Sequence, residues 1–108
     1  MTSGYVVRAT TDFHSASPVA ASSAYTRPAT PEELGWFHTA EYIDAVARLS
    51  RGDGTVSPWK WGFGPGDNPV VAGMYESEAA KTGAGLVAAE WVASGRAEVA
   101  FSFTGGMH

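Results

Sequence analysis

The sequence predicts an α/β chain, mostly helical, that reads as the opening part of a larger parallel-sheet domain. Three observations predict it. Capped helix starts stand at Thr30 and Thr39, a long helix-compatible run covers 69–94, and directly after it Glu98-Val99-Ala100-Phe101-Ser102-Phe103 has the period of a strand. A long helix feeding a short strand is half of a βαβ unit, and such units build parallel sheets. The returning strand has no match in the remaining residues, so an incomplete sheet is expected.

Taken in order, residues 1–24 are dominated by Ser, Thr and Ala around Val6 and Val7. A brief strand is expected near Tyr5 to Arg8, and from Thr10 to Ala24 no hydrophobic period persists, so a poorly ordered loop is expected there. Ala24-Tyr25-Thr26-Arg27 reads as a short extended segment ended by Pro28, which disfavours the helical region at Arg27. Thr30-Pro31-Glu32-Glu33 then supplies an N-cap, a proline at the first helical position and an acidic first turn. Glu33 completes a capping box with Thr30, and this short helix is expected to reach Phe37. Thr39 offers a second N-cap with Glu41 in the new first turn. Tyr42, Ile43, Val46 and Leu49 follow at helical spacing until Arg51-Gly52 ends the run.

Glycine and proline punctuate residues 52–68 too heavily for regular structure, although Trp59, Trp61 and Phe63 lie within them. Asn68-Pro69 resembles another cap-plus-proline start, for a helix running to about Ser94 with Gly95 as its C′ residue. The middle of that helix, Thr82-Gly83-Ala84-Gly85, is unusually small. Each glycine costs about 1 kcal/mol in a helix interior, and close approach of a neighbouring backbone is the expected return. Two regions follow: a leader over 1–24 and a partial domain over 25–108, made of two short helices, the loop 52–68, the helix 69–94 and the strand 98–103.

Composition narrows the function classes. Hydrophobic residues make up 44% and charged residues 17%, too apolar a mix for a disordered chain. A net charge of −4 supplies no basic face for a phosphate backbone, which argues against a nucleic-acid partner. No apolar run approaches the roughly 20 residues that span a bilayer, so no membrane partner is expected. The absence of cysteine removes disulfides, Cys-ligated zinc, iron–sulfur clusters and thiol catalysis. No basic start followed by an apolar core opens the chain, and a cytoplasmic location is expected.

Four segments, in order, carry a resemblance. They are Arg27-Pro-Ala-Thr-Pro-Glu-Glu-Leu34, Phe37-His-Thr-Ala-Glu-Tyr-Ile43, Gly62-Phe-Gly-Pro-Gly-Asp-Asn-Pro69 with Gly73-Met74-Tyr75, and Phe103-Thr-Gly-Gly-Met-His108. Each alone is weak; as an ordered set they resemble the zinc-dependent histone deacetylase superfamily, most like its acetoin-utilisation deacetylases, over residues 25–108. The resemblance implies the N-terminal part of an arginase/deacetylase-like parallel-sheet domain. It implies a hydrolase that uses zinc to cleave the amide of acetyl-lysine or a small acetylated amine. In the family a second histidine, the Asp-x-His and Asp zinc ligands and a tyrosine follow the Gly-Gly-x-His turn. None has a match here, so no metal ligand is assigned, no zinc is expected on this chain, and the chain alone is expected to be inactive.

By the same resemblance Asp67 matches the loop aspartate that accepts hydrogen bonds from backbone N–H groups of the acyl-lysine substrate. One extra residue stands between Gly64 and Asp67 relative to many eukaryotic members. The plainer alternative places Asp67 beside the Asn68 cap, favouring the positive end of that helix. Gly105, Gly106 and Met107 match the turn that lines an acetate pocket, with Met107 where an aromatic is common; an ordinary strand-to-loop turn is equally compatible with the two glycines. His108 matches the first tandem histidine, a general base or local charge beside the zinc-bound water in the family.

Other candidates have blander readings. His14, His38 and His108 share no metal-ligand spacing, and His38 is expected to cap or bridge the two short helices. Trp59, Trp61 and Phe63 are open to two readings, a ligand or partner platform and a loop packing back on the domain. Glu76, Glu78 and Glu90 read as a solvated helix face. A rival reading of the whole chain is a non-catalytic binding or assembly module derived from the same fold, self-associating through an exposed sheet edge.

Overall fold

The computed structural model describes residues 5–10 and 20–102. Its elements, in chain order, are β1 (Tyr5–Thr10), β2 (Ala20–Tyr25), α1 (Pro31–Leu34), α2 (Ala40–Ser50), a single 3-10 turn (Trp59–Trp61), α3 (Met74–Ala93) and β3 (Val99–Ser102). They group into two compact units, one made by Thr30–Ala79 and the other by the chain on either side of it.

In the second of these units the strands form one sheet of order β2-β1-β3. Both pairings are antiparallel, with Tyr5 opposite Tyr25 through Thr10 opposite Ala20, and Val6 opposite Ser102 through Ala9 opposite Val99. Two expectations are corrected here. The loop expected up to Ala24 gives way to a strand at Ala20, because β1 offers Ala-Ser-Ser-Ala a backbone ladder that needs no apolar alternation. The parallel order expected from a helix feeding a strand is not what the described strands form. β3 finds its partner in β1, far upstream, and antiparallel pairing carries no crossover requirement. The sheet leaves Val99 60% and Phe101 55% exposed, so much of the apolar face read from their alternation is solvated. Phe103, read as the third member of that face, lies outside the described residues.

In the same unit α3 buries a stripe of small residues. Ala80, Gly83, Ala84 and Val87 recur at i, i+3, i+4 and i+7, and Ala84 is fully buried. The extended Arg27-Pro28-Ala29 segment crosses this stripe at Gly83. A Cβ there would overlap the Arg27 carbonyl oxygen and stand 2.7 Å from the Ala29 nitrogen. Arg27 also reaches along the helix to Glu90, 3.3 Å away, in an exposed ion pair. The close approach expected of the helix glycines is therefore real at Gly83 and absent at Gly85, where a Cβ would meet nothing within 4 Å. The helix ends in a Schellman turn: Gly95 adopts φ 79°, its N–H reaches the Val92 carbonyl, and that of Arg96 reaches Trp91.

In the Thr30–Ala79 unit, α1 opens with the expected capping box. The Thr30 N–H donates to Glu33 Oε1 at 2.9 Å, and the Glu33 N–H donates to Thr30 Oγ1 at 3.2 Å. The helix stops at Leu34 rather than Phe37, because Trp36 and Phe37 already close i−3 bonds to Glu33 and Leu34. Thr39 caps α2 by accepting the Tyr42 N–H at 3.2 Å. Its end is another Schellman turn, with Gly52 at φ 81° and the Asp53 N–H on the Arg48 carbonyl. Ala45 and Leu49 of α2, Phe63 of the following loop and Ala79 of α3 are the buried apolar side chains around which this unit is built.

The expected helix start at Asn68-Pro69 is also corrected, since α3 begins at Met74. Asn68 does not cap a helix because Gly73 at φ 79° breaks any helical path before Met74; its side-chain N–H donates to the Gly62 carbonyl instead.

The two helix glycines supply a paired test. Gly83→Ala should lower stability by about 3 kcal/mol, since its clash is with backbone that cannot swing aside. Gly85→Ala should raise stability by about 1 kcal/mol through the unfolded-chain entropy it removes. Urea midpoints at unchanged m-value measure both.

Candidate functional site

The loop joining α2 to α3 holds Asp67, the candidate substrate-binding residue of the described region. Its first turn is set by Asp53, whose Oδ1 accepts from the Thr55 N–H at 2.9 Å and from Thr55 Oγ1 at 2.6 Å. These bonds, with the Arg48 and Arg51 charges adding less, hold the Asp53 carboxyl below its ordinary value of 3.8 although it stands in solvent.

Pro58 then opens the 3-10 turn, which Gly62 ends in the left-handed region at φ 86°. The three aromatics divide between the two readings left open for them. Phe63 is buried at 7% exposure and stacks on Tyr42 of α2, centroids 6.4 Å apart and planes 14° from parallel. Trp61 also meets Tyr42, at 6.2 Å, and carries the Lys60 ammonium 5.5 Å from its ring. Tyr42 continues to His38 at 5.0 Å, so His38 does bridge from the end of α1 onto α2. Trp59 stays outside, 74% exposed, with the six-membered edge of its indole laid on Gly64. A Cβ at Gly64 would come within 2.8 Å of two of those ring carbons, so only glycine admits the tryptophan there.

Residues 62–68 form a small closed turn. The Asn68 side-chain amide donates to the Gly62 carbonyl at 2.8 Å, and the Asn68 carbonyl accepts the Gly64 N–H at 3.0 Å. Gly66 supports the tight reversal at φ 109°. Asp67 sits on the outer side of this turn, exposed, and among the described residues no hydrogen bond or ion pair engages its carboxylate. The alternative in which Asp67 serves a helix N-terminus loses its helix, because α3 starts at Met74. What remains is a free carboxylate on a braced turn, able to accept two N–H donors at once.

A separate open groove of about 370 Å³ lies between α2 and residues 55–61, lined by Glu41, Asp44, Arg48, Lys60 and Trp61 among others; Asp67 takes no part in it. Gly105, Gly106, Met107 and His108 lie outside the described residues, as does His14. Among the described residues no group of three His, Cys, Asp or Glu could hold a metal ion, so they do not fit the zinc that the resemblance implies. No helix of the described region is long and apolar enough to cross a membrane.

Two residues of the loop architecture escaped the sequence reading. Asn68 was legible as a cap but serves as a clamp. Ser50 carried no local signal, yet it is buried at the end of α2 and bonds to the start of α3. Glu76 is exposed, as expected of a solvated helix face, and it also accepts a bond from the Ser50 hydroxyl.

Comparison with known proteins agrees with the ordered motifs. The family model described as the histone deacetylase domain matches residues 5–108. The chain is 41% identical over 83 residues to the acetoin utilization protein AcuC of Bacillus subtilis (strain 168), covering 76% of this chain and 21% of that protein. It is 37% identical over 81 residues to histone deacetylase 8 of Danio rerio, covering 74% and 21%. It is 33% identical over 85 residues to histone deacetylase RPD3 of Saccharomyces cerevisiae, covering 76% and 19%. The chain thus spans about a fifth of the length of the curated relatives it matches. No solved structure matches it.

The Asp53 turn gives a pH test. A carboxylate whose folded-state pKa is lowered contributes stability that is present above the unfolded value and lost as pH falls through the folded one. Carboxyl chemical shifts should therefore place the Asp53 midpoint below 3.8. In Thr55→Val, which keeps the backbone bond and removes the hydroxyl, the midpoint should move part of the way back up.

Proposed function

The chain belongs to the histone deacetylase domain family, and we propose that it forms part of a hydrolase that removes the acetyl group from acetyl-lysine or a small acetylated amine. The observation that carries this reading is the unengaged Asp67 carboxylate on the turn braced by Asn68. In the proposal Asp67 accepts hydrogen bonds from the substrate's backbone N–H groups. Such bonds are short and strong because the acceptor is charged, and a braced acceptor fixes the substrate with little further loss of freedom. Asp67 is thus a binding residue that sets orientation and takes no part in bond cleavage.

Within the same reading Gly105, Gly106 and Met107 line a pocket for the released acetate, and His108 stands beside the attacking water as a base or a charge. When bound, zinc would polarise the acetyl carbonyl and acidify that water. The described residues supply no donor set for it, and no step is assigned to a metal that they hold. Two further expectations belong to the proposal: this chain by itself has no turnover, and its location is cytoplasmic.

A second reading, a non-catalytic assembly module, is favoured by one observation: Val99 and Phe101 stand more than half exposed on β3, an edge of the described sheet. Size-exclusion chromatography separates the two. A discrete dimer that Phe101→Ser dissolves supports assembly, and a monomer argues against it.

The enzymatic reading is tested by binding and turnover. The chain should bind an acetyl-lysine peptide weakly, and Asp67→Asn should reduce its affinity by about tenfold, the cost of a hydrogen bond to a charged group. Zinc-supplemented chain should release no acetate. Unchanged affinity in Asp67→Asn would defeat the binding role, and acetate release by the chain alone would defeat the proposed inactivity.

A further inference from the structure

We propose that Ser50 is a positioning residue for the Asp67 loop, acting by holding the two ends of residues 51–72 together; the functional half of this inference rests on the binding role given to Asp67. Ser50 is the last residue of α2, 6% exposed, and three contacts join it to the far end of the loop. Its carbonyl accepts the Gly73 N–H at 3.3 Å, its hydroxyl accepts the Tyr75 N–H at 3.1 Å, and the same hydroxyl donates to Glu76 Oε2 at 3.2 Å. The hydroxyl therefore uses its proton and a lone pair at once, and in doing so it satisfies a first-turn N–H of α3 that the helix itself cannot.

The consequence for Asp67 follows from chain length. Only residues 69–72 separate Asn68 from Gly73. Asn68 is the clamp that closes the 62–68 turn on both sides, through Gly62 and Gly64. A loop base that opens at Ser50 gives those few residues slack, and the Asn68 clamp and the Asp67 carboxylate beside it lose their fixed place. A base that stays shut leaves them the reach of a short tether. Residues 69–71 form no regular structure of their own, so the bonds at the loop base fix the α3 end of this tether, while Phe63 and Trp61 pack its other side on Tyr42.

Amide hydrogen exchange of the whole chain, read residue by residue, tests this directly. In Ser50→Ala the Gly64 amide, at the loop tip, should exchange about tenfold faster, as for loss of a hydrogen-bonded brace, along with Tyr75. Glu76→Ala should act in the same direction, and Glu76→Gln, which keeps an acceptor oxygen, should stay close to the wild type. Affinity for the acetyl-lysine peptide should fall in Ser50→Ala and Glu76→Ala and be kept in Glu76→Gln. The Ile43 amide within α2 serves as the folding control; should Ser50→Ala also deprotect it, the exposed Glu76 pair decides. Faster exchange at Tyr75 with Gly64 unchanged would show a purely local cap and overturn the proposal. Asp67→Asn separates the two readings, since it should leave Gly64 exchange untouched while weakening the peptide. If the wild-type chain binds no peptide, the Asp67 reading falls, and Gly64 exchange alone decides the clamp.

Discussion

A loop without regular structure has to satisfy its backbone from its own side chains, and that constraint shapes the Thr30–Ala79 unit. Between α2 and α3 the task falls on a few short polar residues. Asp53 takes the Thr55 N–H, Asn68 takes the Gly62 carbonyl, and Ser50 takes the Tyr75 N–H across the loop base. Each replaces a backbone partner that a helix or ladder would have supplied. Phe63 and Trp61 close on Tyr42, and Trp59 lies exposed across Gly64. The exposed Asp67 carboxylate is held out on this scaffold rather than drawn into it.

The other unit rests on small residues where large ones are usual. Its buried positions on α3 are Ala80, Gly83, Ala84 and Val87, so little apolar area per residue is available. What these positions offer instead is approach. At Gly83 the Arg27-Pro28-Ala29 backbone comes closer than any side chain would permit, and the Arg27 side chain continues along the helix to Glu90. The matching glycine two residues later has open space around it, so one of the pair is demanded by packing and the other is a tolerated cost.

Membership of the histone deacetylase domain family rests on a match over residues 5–108, and the aligned residues cover about a fifth of the relatives' own length. The described strands pair antiparallel, and Val99 and Phe101 of β3 are more than half exposed.

Local chemistry determined a definite part of this protein. The Thr30 capping box, the Thr39 cap, the glycine stops at Gly52 and Gly95 and the ordered motifs that mark the family were all legible in the order of residues. The caps and stops depend on groups three to five positions apart, whose geometry the chain sets unaided, and the motifs show through their resemblance to the family. The same reading placed a helix start at Asn68 and a loop through Ala20–Ala24, and tertiary structure decided otherwise. Asn68 donates to a carbonyl six residues back, β2 is stabilised by a ladder to β1, and β3 turns antiparallel because β1 lies beside it. Ser50 is the clearest case, since its partners Tyr75 and Glu76 lie 25 and 26 residues away. A serine after a helical run is locally indistinguishable from a solvated one, and only the path of the intervening loop, which brings a helix N-terminus against it, makes it a clamp.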